Sequence, residues 1–264
     1  MTVLPDPGPF DVRLARSETD LLSAQRLRYR VFIEEMGGDG ALVDHDARLE
    51  RDEFDPVVDH LLLIDRRQPP GSLDYVVGVY RLLTDRAAEK FGRFYCDAEY
   101  DLTPLRRSGR RLLELGRSCV APEHRGGTGV FLMWNALAEY VLERELEIMF
   151  GVASFHGTDV QALAQPLSWL HHKHRAPDDL CPTALPQGFQ RMDLVPRADL
   201  NQRAAMVGMP ALIKAYLRLG GTVGNGAFLD HEFNTTDVFL LMDTARMSQR
   251  HRGFYARRAE GPGA

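Results

Sequence analysis

Cysteine is scarce in this sequence. The 264 residues include three, Cys96, Cys119 and Cys181, odd in number, widely spaced and without a C-x-x-C pair. That argues against a disulfide framework or a zinc site and fits a reducing cytosol. Long apolar runs are missing too, since none approaches the roughly 18 residues of a membrane span. The opening MTVLPDPGPFDV lacks the basic start and apolar centre of a signal peptide. The expectation is a cytoplasmic, soluble protein that at most touches the inner membrane from its surface. The net charge of −5 makes general nucleic-acid binding a poor fit.

The charge that is present is unevenly spread. Between Glu34 and Asp59 the acids Glu34, Glu35, Asp39, Asp44, Asp46, Glu50, Asp52, Glu53, Asp55 and Asp59 face only Arg48 and Arg51. The tail from Arg246 to Arg258 holds Arg246, Arg250, Arg252, Arg257 and Arg258 and no acid. One stretch suits a cation, the other an anionic surface or no partner at all.

The centre of the chain, LLELGRSCVAPEHRGGTGVFLMWNALAEYVLEREL from Leu112 to Leu146, reads as a buried strand, a break at Ala121-Pro122, a glycine turn and a helix. Val130, Met133, Trp134, Leu137 and Val141 share one helical face. A strand that delivers glycines to a helix N-terminus gathers backbone N–H groups at the positive end of the helix dipole, where phosphates bind. A plain strand-to-helix turn also wants glycines. Neither G-x-x-x-x-G-K-[ST] nor G-x-G-x-x-G occurs there. Within the strand, Glu114 and Arg117 interrupt an apolar run, and charges are rarely buried unless paired or working. Strict alternation puts them on opposite faces, whereas a bulge at Gly116 would bring them to one side.

Elsewhere, Ser17 or Thr19 caps a helix expected over Asp20 to Met36, whose stripe Leu21, Ala24, Arg28, Val31 and Phe32 contains an arginine. Arg28 either snorkels to water or pairs with a carboxylate. Strands are expected at His60 to Ile64, Tyr75 to Leu83, Ile148 to Phe155, Ala227 to Phe233 and Thr236 to Met242. The second of these sets Arg81 in an apolar row. His171, His172 and His174 end a helix, and adjacent histidines point apart, so a cationic last turn is expected there rather than a metal site. The order of elements implies an α/β (α+β) sheet protein without repeats. Residues 1–10 are expected to be disordered, 11–245 to form a single domain, and 246–264 to be a basic flexible tail.

The motifs LRYRVF, DEFDPVVDHLLLID, VYRLL and ELGRSCV, with the late run PALIKAYLRLGGTVGNGAFLDHEFNTTDVFLLM, resemble the GNAT superfamily of acyltransferases. Within it they are similar to the L-ornithine N-alpha-acyltransferases of ornithine-lipid synthesis, related to the acyl-homoserine-lactone synthases. The resemblance implies a mixed central sheet flanked by helices, with a bulged central strand and a strand-loop-helix phosphate cradle. It implies transfer of a 3-hydroxy fatty acyl group from acyl carrier protein to the α-amino group of L-ornithine, giving lyso-ornithine lipid. The donor would be a 4′-phosphopantetheine thioester, with no permanently bound cofactor and no metal.

Residue by residue, the resemblance implies catalytic roles for Glu114, Arg117 and Arg81, and substrate contacts from Arg28, Phe32, Glu53 and Asp55. It places the donor's pantetheine and phosphate along Cys119, Val120, His124, Arg125, Gly127 and Gly129, with the thioester carbonyl near Ser118 to Val120. Direct attack of the amine needs a proton acceptor, for which Glu114 is the expected base. Cys119 as an acyl-enzyme nucleophile lacks a basic partner nearby in sequence. Two alternatives stand beside this: an autoinducer-type synthase, although Met36-Gly37-Gly38 replaces the tryptophan expected there, and a non-catalytic module that binds acyl carrier protein or membrane.

Overall fold

The computed structural model describes residues 8–231 and 233–246. The expected disordered start and basic tail fall almost entirely outside the described residues, although Phe10 already belongs to the first strand.

β1 (Phe10–Leu14) leads to Ser17, whose hydroxyl accepts the N–H of Asp20 and starts α1 (Glu18–Arg28). The helix expected as far as Met36 changes character at Arg28. Tyr29–Glu35 is π-helical, and the N–H of Met36 bonds the carbonyl of Val31 five residues back. The wider turn takes the residues after Arg28 out of the 3.6-residue stripe, so Val31 stays buried while Phe32 is half-buried. β2 (Asp59–Asp65) and β3 (Val76–Thr84) then pair antiparallel, His60 opposite Arg81 and Leu63 opposite Gly78.

The chain continues through α2 (Asp85–Phe91), β4 (Tyr100–Asp101), α3 (Thr103–Arg107), β5 (Leu112–Val120), α4 (Thr128–Glu143) and β6 (Ile148–His156). It then forms α5 (Ala164–His174), β7 (Thr183–Ala184), β8 (Phe189–Gln190), α6 (Gln202–Gly208), α7 (Ala211–Arg218), β9 (Thr222–Asp230) and β10 (Thr235–Asp243). β9 starts five residues before the expected Ala227, inside TVGNG. At Gly224 an added Cβ would lie 2.8 Å from the Pro182 carbonyl oxygen, so the residue serves close backbone approach within a strand.

Backbone contacts divide the chain into two compact units. One holds the residues up to Phe91 with Leu115–Glu145, the other Gly92–Glu114 with the residues from Leu146 on. In the first, the strands lie in the order β1-β2-β3-β5, with α1 packed on β3 and α4 on β1 and β2. In the second, the order from β5 is β6-β10-β9-β7-β4, with β8 beside β9. β5–β6 and β7–β9 are parallel while β1–β2, β2–β3, β6–β10 and β9–β10 are antiparallel, so the sheet is mixed.

Two glycines set α4 down tightly. A Cβ at Gly129 would come within 2.6 Å of Leu63, and one at Gly78 within 2.8 Å of the Met133 sulfur. Leu63 and Gly78 thus face α4. Three residues along each strand, His60 and Arg81 face the opposite side, towards α1. Among the described residues no helix is long and apolar enough to cross a membrane.

Candidate active site

Arg28 ends α1 and is fully buried. Every nitrogen of its guanidinium is engaged. Nε donates to Glu50 Oε2, Nη1 to Asp55 Oδ1 at 2.6 Å, and Nη2 to Asp55 Oδ2 at 3.0 Å and the Glu50 carbonyl at 2.7 Å. Snorkelling is therefore excluded: the guanidinium is turned into the protein and held by Glu50 and Asp55, where a substrate contact was expected. Arg81 on β3 bonds Asp52 and lies 3.5 Å from Asp55. Gly116 on β5 leaves space beside it, since a Cβ there would sit 3.6 Å from Arg81 Nη2. Arg117 completes the group, with Nε 3.0 Å from Glu50 and Nη2 3.3 Å from Asp52.

Three guanidiniums thus meet three carboxylates on the α1 side of the strands. Such a cluster is tolerable only because the charges balance and are hydrogen-bonded. Burial pushes the Asp52 carboxyl up, but Arg81 and Arg117 outweigh it and hold the group down at about 2. At Asp55 burial is likewise outweighed, chiefly by Arg28, and the carboxyl stays below its usual range. Burial pushes His60 the other way, below an ordinary imidazole; its Nε2 lies 3.1 Å from the Asp55 carbonyl oxygen. The cluster reaches solvent at one edge. The side chains of Asp52 and Arg117 are 16% and 19% exposed, against 0% for Arg28 and 4% for Arg81.

Glu50 and Asp52 were not among the residues expected from the sequence, which offered Glu53 with Asp55. Glu53 is exposed. The N–H of Phe54 donates to Asp52 Oδ1 at 2.9 Å, a local turn that sends Asp52 inward and Glu53 outward. Spacing alone cannot choose between the acids of a loop so dense in them. Glu114 also takes a different place. It is 3% exposed, and its two oxygens accept the backbone N–H groups of Tyr95 and Cys96 at 2.8 and 2.7 Å. A carboxylate committed in this way anchors the turn at Tyr95–Ala98, and the expected role of base passes from it. The break in β5 falls one residue after Gly116, at Arg117, whose φ of 47° is left-handed. A non-glycine residue held there inside a strand stores strain of the kind found at working sites.

Cys119 is buried, and burial pushes its thiol up to about 12, so it is no nucleophile. In the glycine loop, His124 turns inward, its Nε2 3.4 Å from Asp65 and its ring edge-on to Phe10. Arg125 donates to the Val120 carbonyl at 3.0 Å and, through both Nη atoms, to Glu35 at 2.6 Å. The N-cap of α4 is Gly127, which brings no side-chain acceptor to the first N–H groups of the helix. Those N–H groups at the start of α4 therefore have no side-chain cap. In the second unit, Glu99, Asp230 and Asp237 place carboxylate oxygens within 4.8 Å of one another. The sequence reading named none of the three, which lie too far apart along the chain to show as a motif.

Residues 27–135 match the family model described as Acetyltransferase (GNAT) domain. Over 258 residues the chain is 66% identical to the L-ornithine N(alpha)-acyltransferase of Rhodobacter capsulatus, covering 97% of this chain and 98% of that one. The chain belongs to the L-ornithine N(alpha)-acyltransferase family. It is an acyltransferase, and the non-catalytic alternative falls. Over 96% of its length it is also 44% identical to the enzyme of the same name from Brucella abortus, of which 90% is covered. In fold it is similar to FeeM, an N-acyl amino acid synthase from uncultured soil microbes, with a TM-score of 0.54 at 12% identity over 90% of this chain and 91% of that one.

Proposed function

We propose that this chain moves a 3-hydroxy fatty acyl group from the phosphopantetheine thioester of acyl carrier protein to the α-amino group of L-ornithine, giving lyso-ornithine lipid. The names of its relatives support the acceptor and the position acylated. The observation that carries the reading is Arg117. It breaks β5 immediately before Ser118, and it shares with Asp52 the solvent-facing edge of an otherwise buried, charge-balanced cluster.

An amino acid presents an ammonium beside a carboxylate, and a guanidinium–carboxylate pair at a buried edge is its complement. Arg117 grips the α-carboxylate and Asp52 steers the cationic end. Arg28, Arg81, Glu50 and Asp55 hold that edge in place from behind. The outer half of β5, Ser118 to Val120, offers backbone to the thioester, and the first N–H groups of α4 take the phosphate of the pantetheine arm. A lipid product suits an enzyme that works beside a membrane without spanning it.

The test is incubation with 3-hydroxyacyl carrier protein and a panel of amino acids, with the products read by mass spectrometry. N-acyl ornithine as the single main product is expected. Equal acylation of lysine, homoserine or S-adenosylmethionine would overturn the acceptor, and preferential use of acetyl-coenzyme A the donor. Within that assay Arg117→Lys, which keeps the charge but not the fork, raises the KM for ornithine by about tenfold, the order expected for a lost bidentate contact.

A further inference from the structure

The transfer proposed above must dispose of a proton, and with Glu114 spent on backbone N–H groups the ion cluster supplies no acceptor for it. A second arrangement lies close by in the same unit. Tyr29 opens the π-helix, directly after Arg28, and is 8% exposed. Its hydroxyl is 3.1 Å from His45 Nδ1, with the rings edge-to-face at 5.8 Å. His45 Nε2 is in turn 3.3 Å from Asp39 Oδ1. The Asp39 carboxylate beside Nε2 favours a proton on that nitrogen electrostatically, which leaves the Nδ1 lone pair to accept from the phenol. The burial changes along this chain: Tyr29 is inside, whereas the side chains of His45 and Asp39 are 56% and 69% exposed.

Tyr29 is also one wall of a groove of about 230 Å³. Ala121, the first residue past β5, and Val77 lie in the same lining and are joined by an N–H···O bond of 2.9 Å. The groove therefore opens beside the end of the strand to which the thioester is assigned. Its charged lining consists of Arg26, Arg30, Arg48, Glu34 and Asp74. The arginines there are already matched, Arg26 by Asp74 at 3.1 Å, Arg30 by Glu123 at 2.8 Å and Arg48 by Glu34.

We propose that Tyr29, His45 and Asp39 form the relay that carries the proton of the acceptor amine from the groove to solvent. The proposal rests on the amine acyl transfer described above. The α-amine reacts in its neutral form, having given its first proton to water: its nitrogen bonds the acyl carbon, the C–S bond breaks, and the electron pair leaves on the thiolate. The proton lost by nitrogen goes to the Tyr29 oxygen as the phenol's own proton passes to His45 Nδ1. Asp39 steadies the imidazolium, His45 returns the proton to water, and the thiolate takes one from water to become the free thiol. Tyr29 and His45 move the proton, while Asp39 is a positioning residue.

The test is the pH dependence of kcat for the full chain with acyl carrier protein thioester and L-ornithine, in the unaltered protein and in Tyr29→Phe, His45→Gln and Asp39→Asn. Tyr29→Phe should lower kcat about a hundredfold, the low end of what acid–base catalysis contributes, with KM for ornithine changed less than twofold. His45→Gln should lower kcat at least about tenfold with the KM for ornithine little changed. Asp39→Asn should give a smaller loss. Because His45 is exposed, its variant tests the relay even if Tyr29→Phe folds poorly. Wild-type kcat and pH profile in both Tyr29→Phe and His45→Gln would overturn the relay. So would a His45→Gln defect confined to KM, which would make the contact a clasp for the loop. If the unaltered chain transferred acyl groups to no amine, the functional reading itself would fall with it.

Discussion

Arg28 shows how a residue can be singled out correctly and given the wrong task. The sequence marks it, because an arginine in an apolar stripe must be paired or snorkelling, and pairing is what the structure has. What spacing cannot show is that both partners, Glu50 and Asp55, consume the whole guanidinium, leaving it structural. Replacing Arg28 with Ala should then cost about 3–5 kcal/mol in urea unfolding, because two buried carboxylates lose their counter-ion. A loss of activity at unchanged stability would return Arg28 to the substrate. Glu114 separates in the same manner. As an anchor for Tyr95 and Cys96, it should cost about 1–3 kcal/mol on change to Gln, since an amide NH₂ would face a backbone N–H. Turnover per folded molecule should fall less than about threefold. A tenfold fall with stability intact would restore the carboxylate to proton transfer.

Strands and helices with a strict period were readable; elements that bend the period were not. β2, β3, β5 and β6 lie within a residue or two of expectation because buried strands announce themselves as apolar runs. α1 passes into a π-helix because one extra residue per turn leaves no mark on composition, and β9 hides behind glycines placed for close approach. α4 is where the period and the site meet. Gly129 allows the helix to sit on Leu63 with its first N–H groups facing outward, and Gly129→Ala would press a methyl group into a fully buried leucine. A destabilisation of about 1–3 kcal/mol is expected, with weaker use of the acyl donor. Leu63→Ala in the same chain should recover part of both. If the double variant were no better than the sum of the singles, the contact with Leu63 would not be what seats the cradle.

For the molecule as a whole, the buried charges define how stability follows pH. Asp52 titrates at about 2 in the folded chain and near 3.9 unfolded, so its contribution is complete above about pH 4 and fades as pH falls towards 2. About 2.6 kcal/mol rides on that step, and Asp52→Asn should flatten it. His60 acts higher on the scale. Burial lowers its folded pKa, so the unfolded chain takes up the proton first, and stability that is complete above about pH 6.5 declines as the medium is made more acidic. Denaturant midpoints across this range, with His60→Gln as the comparison, check the sign: a variant that followed the unaltered protein below pH 6.5 would remove His60 from the account. The superfamily was legible in the chain because several misplaced charges recur in order, and Arg28, Arg81, Arg117 and Asp55 among them gather in one cluster. Which acid serves which arginine was not, because that is decided by loop turns such as the one at Asp52. The π-helical segment adds a consequence of another kind. A helix wound with a surplus residue behaves as though an insertion had been absorbed into it, so Tyr29–Glu35 constrains chain length more than side-chain identity. Removing any one residue between Val31 and Glu34 would let the segment relax to ordinary winding and leave both Arg28 in its cluster and the following loop with Asp39 and His45 close to their present places, whereas the same removal within α1 would turn them by roughly a quarter of a revolution.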